Sequence, residues 1–133
     1  MEEINQISGF NEKLVVQKFI QVYVKEKPYL KFFNNSIYHY FALEEFLDNL
    51  KINYVKIEKH GDLIPFPEGE NYKLVGAGQT QTLSGECILH GESTSYNIKT
   101  NKKHLEDLFV QKQIKSLKED KFGNNIVFFV EFK

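Results

Sequence analysis

At 133 residues, with 41% hydrophobic and 26% charged side chains, the chain is sized for one folded domain and is too apolar to be disordered. Seventeen basic residues nearly cancel eighteen acidic ones and every base is lysine, so nucleic acid is a disfavoured ligand: the field and the guanidinium fork that grip it are both missing. The longest apolar run, Ile126 to Val130, is too short to cross a bilayer, MEEINQISGF has no apolar stretch to act as a leader, and the lone Cys87 has no internal disulfide partner. A cytoplasmic protein without a membrane span is expected.

The first element runs from about Glu12 to Lys25, where Val15, Val16, Phe19, Ile20, Val22, Tyr23 and Val24 occupy one broad arc at helical spacing. Gln17, Lys18, Gln21 and Lys25 gather opposite, Asn11 is placed to cap, and Pro28 prevents continuation, so a helix is predicted. The competing reading is a strand over Ile20 to Lys25, where Ile20, Val22 and Val24 alternate. Next, Tyr29 to Phe33 and Ser36 to Tyr40 flank Asn34-Asn35 and read as a hairpin. Asn34-Asn35-Ser36 also fits a glycosylation acceptor, but a turn is the plainer meaning.

Leu43, Phe46, Leu47 and Leu50 predict a short helix over about Ala42 to Leu50, and Ile52 to Glu58 alternates like a strand. The prolines, glycines and acids from His60 to Asn71 read as a surface loop. Strands are expected at Tyr72 to Ala77, Thr82 to Leu89 and Ser93 to Thr100, with Gly76 and Gly78 marking a bulge or a close backbone approach. A helix over Lys102 to Phe109 is capped by Asn101 and turns Leu105, Leu108 and Phe109 inward. Strands at Gln113 to Lys118 and Asn125 to Phe132 then meet across Phe122-Gly123-Asn124. The last strand is apolar on both faces and so belongs inside a covered sheet. Its second cover is a curled part of the sheet, the long loop or a second copy, which makes a homodimer an expectation.

The fold class expected is α+β over residues 1–133: a mostly antiparallel sheet of six to eight strands with two or three short helices, in the order α-β-β-α-β-β-β-β-α-β-β. The alternative is a curved sheet wrapped on a helix with a pocket, as in cystatin-like or nuclear-transport-factor-like folds.

Chemistry-bearing patterns are sparse. His60-Gly61-Asp62 and His90-Gly91-Glu92 each set an imidazole beside a carboxylate, a donor set that suits zinc, yet each also reads as an ordinary turn. No cofactor is expected. Cys87 and His90 fall on opposite faces of one strand, which argues against a nucleophile and its base. Glu131-Phe132-Lys133 has the ending of a nuclease carboxylate-x-lysine signature, but the metal-holding acid should sit on a nearby preceding strand and the nearest upstream acids, Glu119 and Asp120, read as part of the turn region, so chance explains it. The strongest pattern is aromatic, twelve Phe and seven Tyr, concentrated around residues 29 to 41. Not all of these can face one core, and exposed tyrosines are common anchors of protein interfaces. The leading expectation is a non-enzymatic binding protein of inhibitor, immunity or microbial accessory type, with Tyr29, Phe32, Tyr38, Tyr40 and Phe66 as partner contacts. The alternative is a small-molecule binder or enzyme with a pocket lined by Gln79, Gln81, Cys87, His90 and Glu92.

Overall fold

The computed structural model describes residues 5–84, 86–123 and 125–132. Gly85 in the expected Thr82–Leu89 strand, Asn124 in the expected last turn and Lys133 in the nuclease-like ending lie outside these residues. In chain order the elements are β1 (Ile7–Ser8), β2 (Val16–Val24), β3 (Lys27–Asn34), α1 (His39–Asn49), β4 (Lys56–Lys59), β5 (Asp62–Pro65), β6 (Tyr72–Leu83), β7 (Glu86–His90), β8 (Glu92–Ser93), β9 (Ile98–Lys99), α2 (Lys102–Val110), β10 (Ile114–Phe122) and β11 (Asn125–Phe132). Seven strands form one sheet in the order β1-β3-β2-β6-β7-β11-β10, in which only β1 against β3 is parallel. β4-β5 and β8-β9 are separate two-stranded hairpins. Among the described residues, no helix is long and apolar enough to cross a membrane.

The first expected helix is instead a strand, β2, near the middle of the sheet. Ile20 and Val22 point to one face and Phe19 and Gln21 to the other, and all four are fully buried. A strand covered on both sides has no polar face, so its apolar residues imitate the broad arc of a helix. The β-branched run was the better guide. β2 returns into β3 across Lys25 and Glu26, with φ of 50° and 72°. Two successive positive φ values match the twist of a tight hairpin, but Lys-Glu is not the Asn-Gly or Asp-Gly pair that announces one.

The expected hairpin around Asn34-Asn35 is also corrected, because β3 pairs back onto β2 and the residues after it lead into α1. Likewise the expected loop from His60 contains β5, which pairs with β4 across His60 (φ 53°) and Gly61 (φ 86°). The expected strand over Ser93 to Thr100 breaks into β8 and β9, with Asn97 at φ 53° between them. α2 stands where expected with Leu105 and Leu108 buried, but Phe109, expected inward, is exposed and His104 is buried instead; Asn101 caps the helix by accepting from the His104 amide at 2.9 Å.

Of the two glycines expected to mark a bulge or a close backbone approach, Gly76 adjoins a bulge and Gly78 a close approach, where a Cβ would stand 2.3 Å from the His90 carbonyl oxygen. Gln21 pairs Gly76 and Val22 pairs Leu74, which leaves Val75 unmatched. The extra residue shifts the alternation, so that Tyr72, Leu74 and Ala77 all join one core. A Cβ at Gly76 would stand 2.1 Å from Gln21 Oε1, so glycine makes room for that side chain.

The sheet has a helix on each face. On one, Ala42, Leu43, Phe46 and Leu47 of α1 pack with Ile20, Val22, Phe33 and Leu74. On the other, Leu105 and Leu108 of α2 pack with Phe19, Phe32, Leu89 and Phe128. In a flat sheet, β3 and β11 would lie about 19 Å apart, with three strands between them. Yet the Phe32 and Phe132 rings are 5.5 Å apart, and Phe10 touches both at 5.2 and 4.8 Å. The sheet therefore curls around α2. β11 lies inside it, between β7 and β10, with Phe128 and Val130 turned inward and buried. On its outer face Val127 is buried, and Phe129 lies under Lys118 and beside Phe122 of β10. One chain thus covers most of both faces of β11.

Candidate partner-binding surface

The surface begins where β3 ends. Asn34 Oδ1 accepts from both the amide and the hydroxyl of Ser36 at 2.8 Å, and the Asn34 carbonyl accepts from the Ile37 amide at 3.0 Å. An asparagine side chain that takes its own turn's donors reverses the chain locally, and α1 starts at once. His39 then fixes the helix: its ring is buried edge-on to Phe33, and its Nε2 bonds the Gly78 carbonyl of β6 at 3.0 Å. Burial lowers the His39 pKa below the ordinary imidazole value, so at neutral pH the ring is an uncharged donor.

With His39 turned in, its neighbours turn out. Tyr38 is 59% exposed, Phe41 55% and Ile37 38%. Tyr38 stacks on Tyr40 at 5.3 Å and Tyr40 on Phe41 at 4.9 Å, while Lys18 Nζ sits over the Tyr38 ring and donates to the Ile37 carbonyl. An open groove of ≈ 1160 Å³ runs along α1, lined by Phe33, Ile37, Phe41 and Phe46 and, further on, by Glu45 and Asp48.

Of the five aromatic residues expected to meet a partner, Tyr38 and Tyr40 share this surface. Tyr29 is half-buried beneath α1, with its ring 5.6 Å from Phe46, and Phe32 is 2% exposed inside the curled sheet. Phe66 is exposed after β5. Ile37 and Phe41 were missed because the helix was expected to begin at Ala42. Begun at His39, the same periodicity puts Phe41 on the outside, and Ile37 falls in the turn before the helix instead of in a strand.

Against family models, curated proteins and solved structures, the chain finds no match.

The five residues expected to line a small-molecule pocket divide between two faces. Gln79 pairs His90, and Gln81 pairs Ile88, on the outer face of the sheet. Cys87 lies on the inner face, 1% exposed, and burial pushes its thiol up to about 12. A thiol so placed is a core group and not a nucleophile. Lys18, which contacts Tyr38, pairs Gln79, so the Gln79–His90 row adjoins the aromatic surface. Glu92 is exposed at the start of β8. His60 lies in the β4-β5 turn and Asp62 begins β5, and among the described residues no group of three or more His, Cys, Asp or Glu gathers to hold a metal.

Two further buried polar side chains, Gln21 and His104, hold α2 in the curl. Gln21 Oε1 accepts from the Asn101 amide at 2.7 Å, while its Nε2 donates to the Asn101 carbonyl at 2.9 Å and faces His104 Nδ1 at 3.3 Å. His104 Nε2 bonds the Val22 carbonyl at 3.2 Å, and Asn101 Nδ2 donates to the Val75 carbonyl at 3.1 Å. A neutral Nε2–H tautomer satisfies both ring nitrogens. Desolvation lowers the His104 pKa to about 4, which suits a structural group.

Proposed function

We propose that the protein is a non-enzymatic binding protein that engages a protein partner through the aromatic start of α1 and the groove beside it. The observation that carries this reading is the exposure of Ile37, Tyr38 and Phe41 together, at one end of a groove with an apolar floor. Large apolar and aromatic side chains placed contiguously on a surface favour an interface, with tyrosine contributing a rigid body and a polar tip. The residues best suited to chemistry support the same reading. His104 is sealed and neutral, Cys87 is a buried thiol, and His39 is spent on anchoring the helix.

The test compares wild type with Tyr38→Ala/Phe41→Ala, each tagged in the native host, by quantifying proteins that co-purify. A partner recovered with wild type and lost with the variant, at equal melting temperature, supports the reading. Equal recovery with both overturns it.

A further inference from the structure

We infer that the groove beside α1 takes a basic, amphipathic helical segment of the partner, apolar at one end and cationic at the other. This deepens the docking reading above and rests on it.

The exposed stripe of α1 changes character along its length. The turn leading into it carries Ile37 and Tyr38, its first turn Phe41, and its later turns Glu44, Glu45 and Asp48, all lining the same groove. Among the described residues that line the groove stand three carboxylates and one ammonium, that of Lys31. The Lys31 side chain is 13% exposed and pairs with Glu45 at 2.6 Å, so its charge is already engaged. Glu44 turns to Lys56, outside the lining, at 2.9 Å, while among the described residues Asp48 has for side-chain partner only the neutral hydroxyl of Tyr54 at 2.9 Å.

The helix itself gives no reason for this arrangement. Carboxylates favour the first turn of a helix and cations the last, because of the backbone dipole. α1 has no acid in its first turn and no base in its last, and it carries Asp48 at the unfavourable end. A lysine or arginine supplied from outside would meet both that carboxylate and the negative helix end. The floor is apolar and the groove follows α1 from Ile37 to Leu50, which fits a second helix laid alongside and anchored by one or two large apolar side chains.

Fluorescence anisotropy with two synthetic peptides of about 15 residues tests this, the two sharing one leucine and phenylalanine face and carrying either lysine or glutamate on the other. The lysine peptide is expected to bind at least about tenfold more tightly than the glutamate peptide, and to weaken as salt rises. Asp48→Lys should cost the lysine peptide about tenfold, whereas Asp120→Lys, outside the groove, should cost nothing. A lysine at that helix end suits the dipole but gives up the Tyr54 hydrogen bond, so Asp48→Lys should melt close to wild type. If both peptides bind alike and Phe41→Ala weakens both, the groove is a docking site but the basic partner is wrong. If neither binds, the inference falls, and recovery of the native partner decides the docking reading separately.

Discussion

His104 has no exposed surface and is hydrogen-bonded at both ring nitrogens, so its protonation state is tied to folding. The folded protein holds its pKa down at about 4, against the ordinary 6.5 of an unfolded chain. Between those values the unfolded state binds more protons. Stability is therefore full above pH 6.5 and falls as the pH drops toward 4, by up to about 1.4 kcal/mol per pH unit from this one group. His39, also lowered by burial, adds in the same direction. Urea midpoints at about pH 7 and about pH 5 should show the loss, and His104→Gln should flatten it. Cys87 offers a second check at this scale. Its thiol, raised by burial and fully covered, should react with a thiol reagent only after denaturation. Rapid labelling of the native protein would mean that β7 opens.

At the scale of elements, Asn101 does three things: it caps α2 through its side-chain oxygen, donates to the Val75 carbonyl, and meets Gln21 with its backbone. Asn101→Ala should cost about 1 to 2 kcal/mol by urea denaturation, and Asn101→Ser less, because serine keeps the cap and loses only the donor to Val75. The β2-β3 turn gives the opposite expectation. Lys25 and Glu26 both sit at positive φ, where a side chain is strained by roughly 1 kcal/mol. Replacing them with Asn-Gly should raise the unfolding midpoint without moving the register, and an unchanged or lower midpoint would show the turn to be unstrained. These two elements differ in legibility. The cap of α2 is written locally, as asparagine before an amphipathic run. The turn is written only in backbone angles that lysine and glutamate do not advertise.

In the whole molecule, the Phe10–Phe32–Phe132 contact joins strands far apart in the sheet order and holds the curl around α2. Phe32→Ala opens a cavity there and should cost about 3 to 5 kcal/mol. Tyr38→Ala and Phe41→Ala remove exposed rings and should stay within about 0.5 kcal/mol of wild type. Thermal and urea melts of the three variants separate core from surface among aromatics that composition alone groups together. A small loss for Phe32→Ala would show that the curl does not depend on that contact.

Local pattern was enough to locate α2 with its cap, Gly76 at the bulge, and β11 as an inner strand, because each is encoded within a few adjacent residues. It also marked residues 29 to 41 as too aromatic for one core. Which ring faces where depended on contacts distant in sequence: Phe32 is enclosed by β1's neighbour Phe10 and by β11, while Tyr38 is left out because His39 reaches Gly78. β2 shows the same division. Its burial on both faces by helices from other parts of the chain erased the alternation that would have named it a strand. Hydrophobic pattern reports how much of a segment is buried, but only the assembled layers determine from which sides.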